Sequence, residues 1–160
     1  VAKRLSGFEC RVVVFDPYVD AKEIEAHGVD VADSLESLLE ASDFVSLHMR
    51  ISSDTHHMID AEALRRMKPT AYLVNTARAD LVDEEALVDA LRDHRIGGAA
   101  IDVYAEEPIG TDHPYLSLDN VTLVSHLAGT SADTMQTSVE IGFEDLEAYL
   151  KGEELINRRA

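Results

Sequence analysis

The chain has 160 residues and a formal net charge of −17, from 31 Asp and Glu against 14 Lys and Arg, and 46% of its residues are hydrophobic. This length and apolar content predict one globular domain rather than a disordered chain. The acidic balance argues against nucleic acid or an anionic membrane surface as a partner, because both attract clustered Lys and Arg. No apolar run approaches the ~18–20 residues that a membrane-spanning helix needs.

Charge and cysteine content give two expectations about the setting. Net charge this far from zero is a feature of halophilic proteins, and an ordinary acidic protein explains it equally well. Cys10 is the single cysteine of the sequence and cannot form an internal disulfide. We therefore expect a reducing, cytoplasmic compartment.

The first part of the chain alternates short helices and strands. In chain order, the pattern predicts the end of a helix at 1–8 stopped by Gly7, a buried strand at 11–16 ended by Pro17, a helix at 21–27, a strand at 29–31, and a helix at 35–40 capped by Ser34.

The alternation continues to the end of the sequence. The pattern predicts strands at 44–47, 71–75, 98–103 and 121–124, and helices at 61–67, from Asp83 to about 94, and at 131–150. Strands alternating with helices at this spacing predict a parallel, doubly wound α/β sheet of the Rossmann type.

Polar residues follow five of the predicted strands. In open α/β sheets, ligands bind beyond the carboxyl ends of the strands, so these residues mark a candidate site. They are Asp16, His48, the run 75–78, Asp102, and the pair 125–126.

Asp16 is the most specific of them, because an acid at the end of the second strand of a dinucleotide fold binds the adenosine ribose hydroxyls. It should lie about 20 residues after a G-x-G-x-x-G loop. The eight glycines of the sequence form no such fingerprint. We therefore expect a fragment of a longer parent, in which the strands ending at 16 and 31 are separated from the other four by a missing central strand.

Six stretches carry a family resemblance, and they follow one another in order. They are VFDPY at 14–18, DFVSLH at 43–48, MKPTAYLVNTAR at 67–78, LVDEEAL at 81–87, AIDVYAEEP at 100–108, and SHLAG at 125–129. Together they resemble the nucleotide-binding domain of the NAD-dependent D-isomer-specific 2-hydroxyacid dehydrogenases, the group that contains phosphoglycerate dehydrogenase. The resemblance implies a partial NAD-binding domain over 1–160, without the family's substrate domain.

The resemblance also implies a catalytic set. Arg78 matches the arginine that binds the substrate carboxylate and polarises its carbonyl, work that suits a bidentate guanidinium. His126 matches the general acid/base that exchanges a proton with the substrate oxygen. Glu107 matches the carboxylate that pairs with this histidine and stabilises the imidazolium, whereas we expect Glu106 to be solvated.

A second set follows for the cofactor, NAD. The matching positions are Asp16 at the ribose, Met49 and Thr55 at the adenosine half, Thr76, Ala77 and Arg78 along the nicotinamide ribose, Asp102 at the carboxamide end, and His126 and Gly129 near the ring. The implied substrate is a small 2-hydroxy or 2-keto acid, and the implied parent enzyme is a homodimer.

Three positions depart from the family pattern. Ala79 stands where the family has a glycine after the arginine, so we expect it to restrict the turn that aims Arg78. Arg50 and Ser125 stand where the family has prolines. The adjacent His56 and His57 have no further ligands at metal spacing, so we expect no metal site. Two alternatives stay open: a non-catalytic module for dimerisation or NAD sensing, as in related corepressors, and an inactive fragment.

Overall fold

The computed structural model describes residues 1–155, so the last five positions of the predicted domain 1–160 lie outside the described residues. Residues Val1–Ser125 form one compact unit, and a second unit begins at His126. Among the described residues, no helix combines the length and the apolar character that crossing a membrane requires.

Six strands lie in the first unit. They are β1 (Val13–Val14), β2 (Asp30–Val31), β3 (Phe44–Leu47), β4 (Tyr72–Asn75), β5 (Gly98–Ile101) and β6 (Val121–Leu123).

The first unit also contains five α-helices, and the described part of the second unit contains one. They are α1 (Ala2–Leu5), α2 (Ala21–Glu25), α3 (Leu35–Ala41), α4 (Ala61–Arg66), α5 (Glu84–Arg92) and α6 (Ala132–Lys151). Short 3-10 helices occur at Ser6–Phe8, Ala79–Leu81 and Pro114–Ser117.

The described strands form two parallel sheets. One pairs β1 with β2, and the other has the order β3-β4-β5-β6. The predicted α/β class and the predicted grouping of the strands, two apart from the other four, are therefore confirmed.

The four-stranded sheet has one buried and one exposed face. Val45, Leu47 and Leu73 are at most 3% exposed, and they share the core with α4 and α5. On the opposite face, Phe44 and Tyr72 are 72% and 44% exposed and stack with ring centroids 5.6 Å apart. The alternation follows from the pleat, which points successive side chains to opposite faces.

Side-chain caps fix where the helices begin. Ser34 and Ser37 form a reciprocal capping box at the start of α3, and Asp83 accepts a hydrogen bond from the backbone N–H of Ala86 at α5. Ser131 caps α6 by accepting from the N–H of Thr134. These caps confirm the predicted starts of α3 and α5 and place the start of α6 one residue after the predicted one, because a cap satisfies N–H groups that the helix itself leaves unpaired.

The N-terminal segment departs from the prediction in two ways. Gly7 does not stop the first helix, which continues as a 3-10 turn to Phe8, and the left-handed residue is Glu9, with φ 55°. The strand predicted over 11–16 is reduced to Val13–Val14 and is half-buried. In the described structure it pairs only with β2, which itself offers two residues.

Candidate active site

The four-stranded sheet brings several of the predicted site residues to one edge. His48 follows β3, Asn75 ends β4, and Asp102 follows β5. All strands of this sheet are parallel, so their carboxyl ends meet at the same edge, where open α/β sheets bind ligands.

The turn that carries Arg78 is built by Asn75. This side chain is 2% exposed, its Nδ2 donates to the carbonyl oxygen of Arg78 at 2.8 Å, and its Oδ1 accepts from the N–H of Ala77 at 3.1 Å. The guanidinium of Arg78 is at the surface and donates through Nη1 to the carbonyl of Ala77. Thr76 is exposed on the same turn. Asn75 thus holds the backbone of 75–78 as one rigid loop.

Ala79 fits this loop without strain. It begins the 3-10 helix Ala79–Leu81, and it is not among the described non-glycine residues with positive φ. The expectation that alanine here restricts the turn is therefore wrong, because the backbone adopts a conformation open to any residue.

The end of β5 carries a buried acid and a bridging tyrosine. Asp102 is 3% exposed, and its N–H donates to the carbonyl of Asn75, which extends the pairing with β4. Two residues later, the N–H of Tyr104 donates to Oε1 of Glu107 at 3.0 Å. The segment with the implied catalytic acid is thereby folded back on the strand end.

The end of β3 carries an exposed histidine, His48. Nε2 of His48 lies 2.9 Å from the hydroxyl oxygen of Ser46. Partial desolvation of the ring lowers the pKa of His48.

Met49 and Thr55 have visible structural roles. Met49 packs against the hydrophobic core. Oγ1 of Thr55 donates to the carbonyl of Arg50 and accepts from the N–H of Ser52, both at 2.8 Å, which closes the loop after β3. Their assignment to the adenosine half of the cofactor stays a prediction.

Asp16 follows β1 of the two-stranded sheet, two residues after the strand ends. It is exposed, and its Oδ1 accepts from the N–H of Tyr18 at 2.9 Å, which orients the carboxylate at the end of β1. A carboxylate has about four acceptor positions, so it can still receive the two hydroxyls of a ribose. The residue therefore fits the ribose role that the sequence predicts.

The second unit opens with His126 and Gly129. His126 has a left-handed backbone with φ 56°, which few non-glycine residues adopt. A turn follows in which the N–H of Thr130 donates to the carbonyl of Leu127, and Ser131 then caps α6. A Cβ at Gly129 would meet nothing within 4 Å, so open space surrounds this glycine.

The residues at the strand ends provide part of what a dinucleotide-binding site requires. A surface carboxylate for ribose hydroxyls, a rigid loop with Thr76, Ala77 and Arg78, and a buried acid at the next strand end are present. A glycine fingerprint for the pyrophosphate is not among the 160 residues. Fold and strand-end residues together define the class: a nucleotide-binding α/β domain.

The family follows from comparison with known sequences. Residues 1–128 match the family model described as D-isomer specific 2-hydroxyacid dehydrogenase, NAD binding domain. The chain belongs to this family, its cofactor is NAD, and the resemblance stated from the six motifs is confirmed.

Curated relatives carry related names. The chain is 46% identical over 154 residues to a glyoxylate reductase of Korarchaeum cryptofilum, covering 96% of this chain and 46% of that protein. It is 43% identical over 155 residues to a glyoxylate reductase of Thermofilum pendens, covering 95% and 45%. It thus spans about half the length of these relatives.

Solved structures agree in fold. D-lactate dehydrogenase with NAD⁺ from Lactobacillus jensenii matches with a TM-score of 0.88 at 28% identity, over 100% of this chain and 51% of that one. The TT0316 protein from Thermus thermophilus matches with a TM-score of 0.86 at 39% identity, over 98% and 48%.

Proposed function

We propose that the protein is an NAD-dependent oxidoreductase that interconverts a 2-hydroxy acid and the corresponding 2-keto acid. The observation that supports this proposal is the position of Arg78, Glu107 and His126 along the chain, inside the residues 1–128 that match the family. Each follows a strand of the four-stranded sheet in the sequence, β4, β5 and β6 in turn. Relatives at 43% and 46% identity are named glyoxylate reductases, so glyoxylate is the first 2-keto acid to test.

In keto acid reduction, each proposed residue has one task. NADH, when bound, would supply the hydride that the carbonyl carbon accepts. Arg78 binds the substrate carboxylate and draws electron density from the neighbouring carbonyl. His126, as imidazolium, gives its proton to the carbonyl oxygen, and Glu107 stabilises the imidazolium. In the oxidation direction, neutral His126 accepts the hydroxyl proton.

The cofactor contacts are proposed at the positions that the family resemblance implies. Asp16 would hold the adenosine ribose, and Asp102 would face the carboxamide. The remaining contacts are Met49, Thr55, Thr76, Ala77, Arg78, His126 and Gly129. We further propose a cytoplasmic homodimer with a small-acid substrate.

The experiment compares two neighbouring carboxylates in the full-length protein. NADH oxidation is followed with glyoxylate, lactate-type and phosphoglycerate-type keto acids, at low and at molar salt. We expect Glu107→Gln to lower kcat by about 10²-fold or more, the size typical of general acid–base catalysis. The matched control Glu106→Gln changes a neighbouring charge that we place in solvent, and it should keep kcat within about twofold.

A histidine variant tests the proton transfer directly. Asn is the appropriate replacement for His126, because Asn adopts the left-handed backbone found there. We expect His126→Asn to reduce kcat by about 10²–10⁴-fold, with NADH affinity within a few-fold of wild type. Equal loss of affinity and turnover would contradict the acid/base role. NADH binding without turnover of any keto acid by the wild type would instead support the non-catalytic alternative.

A further inference from the structure

Tyr104 joins the ends of two strands. Its hydroxyl lies 2.7 Å from the carbonyl oxygen of Val124, just after β6, and 3.1 Å from that of Ile101, the last residue of β5. The backbone N–H of Val124 also donates to the carbonyl of Ile101 at 2.9 Å. The hydroxyl is therefore part of the junction that fixes these two strand ends against each other.

The same residue also holds the implied catalytic acid. The backbone N–H of Tyr104 donates to Oε1 of Glu107 at 3.0 Å. A hydrogen bond to a charged carboxylate is about twice as strong as one between neutral groups. The direction of the Glu107 side chain thus depends on where the backbone of Tyr104 sits, and the hydroxyl contacts help to set that position.

The surroundings keep the phenol in place and protonated. The ring is partly buried and meets His113 edge-on, with centroids 6.2 Å apart. The pKa of Tyr104 is raised, chiefly by burial; the hydrogen bond to Val124 lowers it in part, and the carboxylates of Asp102 and Glu107 add to the rise. The hydroxyl consequently stays a hydrogen-bond donor over the whole neutral pH range.

We propose that Tyr104 is a positioning residue for the reaction, holding Glu107 through its backbone N–H while its hydroxyl ties the end of β5 to the segment that leads into His126. This rests on the proposed function. Val124 lies two positions before His126 in the sequence, and Glu107 lies three positions after Tyr104, so the proposed acid/base and its carboxylate partner both follow the strand ends that this hydroxyl joins. The Tyr104→Phe substitution would keep the packing of the ring and remove only the contacts of the hydroxyl with the carbonyl oxygens of Val124 and Ile101.

The kinetic test uses Tyr104→Phe in the full-length protein, with Tyr115→Phe as matched control. Tyr115 belongs to the same aromatic cluster through His113, at a centroid distance of 4.9 Å, and its hydroxyl does not bridge the strand ends in the described structure. We expect Tyr104→Phe to lower kcat about tenfold, because small misplacement of a catalytic group costs up to about 10²-fold. KM for NADH should stay unchanged, and Tyr115→Phe should keep wild-type kcat.

A second readout needs no turnover. In ¹⁵N-labelled protein, the amide proton shift of residue 104 should change with pH as Glu107 gains its proton. The Glu107→Gln variant shows the amide shift without this pH dependence and serves as the reference. We expect Tyr104→Phe to lose most of this dependence and Tyr115→Phe to retain it. Suppose that Tyr104→Phe loses this pH dependence while the wild type shows no reductase activity. That result would support the positioning of Glu107 by Tyr104 and reject the proposed function. An unchanged amide response in Tyr104→Phe, with or without a lower kcat, overturns the proposal.

Discussion

The two sheets of the first unit start from similar sequence and reach different structures. Residues 12–15 form an apolar run as strong as that of β4, yet β1 has two half-buried residues, whereas Leu73 at the centre of β4 is fully buried. Leu73 pairs with Val45 on one side and Ala99 on the other, and α4 and α5 share its core. An apolar run thus allows a strand to form, but the length of the strand depends on paired strands at both edges and on helices packed against one face.

The proposed site residues are also distributed over the two sheets. The proposed ribose acid Asp16 follows a strand of the small sheet, and the residues proposed to act on the substrate follow strands of the large one. Changes in the small sheet should thus affect NAD affinity at little cost in stability. Changes in the large sheet should affect folding first.

The largest expected effect is a cavity in the large sheet. Leu73 is 0% exposed, so Leu73→Ala should lower the free energy of unfolding by about 2–5 kcal/mol. Val13→Ala in β1 should cost about 1 kcal/mol, because Val13 is only half-buried. Urea denaturation followed by circular dichroism measures both free-energy changes. Equal changes would contradict the conclusion that the large sheet contributes more to stability than the small one.

Next in size is a steric clash at β5. A Cβ at Gly98 would lie 2.5 Å from the carbonyl oxygen of Asn120 and 2.8 Å from the ring of Tyr72. Gly98→Ala should therefore destabilise the protein by about 1–3 kcal/mol. The control Gly142→Ala adds its Cβ in open space on helix α6 and should stabilise it by about 0.5–1 kcal/mol. A neutral result at Gly98 in thermal unfolding would mean that β5 and β6 can separate without cost.

A smaller effect is expected from His48 at the end of β3. Its pKa in the folded protein lies below the ordinary value of 6.5, chiefly through partial desolvation of the ring. The neutral form is therefore favoured by folding, and this contribution is complete above the unfolded pKa and is lost as the pH falls through the folded one. Stability measured from neutral pH downward should fall less steeply in His48→Gln than in wild type. Parallel curves would show that His48 is solvated in the folded state.

The smallest effect concerns an ion pair of the small sheet. Arg11 and Asp30 are 2.6 Å apart, with side chains 73% and 54% exposed. Asp30→Asn should cost at most about 1 kcal/mol at low salt and nothing measurable at molar salt, since exposed pairs are screened. A salt-independent cost in urea titrations would show that this pair holds β1 to β2.

Much of the fold follows from local sequence. The strand at 44–47 and the caps Ser34 and Asp83 agree with the structure residue by residue, because capping and alternation depend on neighbours within a few positions. The helix predicted from Ser131 begins one residue later. The length of β1 could not be predicted in this way, since it depends on which strands pair with it.

The candidate site divides along the same line. Its location at the strand ends and the identity of Arg78 follow from motifs. The contacts that shape it join positions far apart in sequence, such as the hydroxyl of Tyr104 and the carbonyl of Val124. The left-handed backbone at His126 likewise could not be predicted, because histidine adopts this conformation more often than most residues but still in only a small fraction of its positions.

The aromatic cluster has a practical consequence for optical work. The chain has five tyrosines and no tryptophan, so tyrosine dominates its near-ultraviolet absorption. Burial raises the pKa of Tyr115, and the charges of Glu84 and Tyr104 raise it further, so this phenol resists ionisation while the fold persists. A jump into alkali should produce the tyrosinate absorption of Tyr115 only as the segment around it opens. Tyr115 is thus an intrinsic absorbance probe for the rate at which the 104–115 region opens.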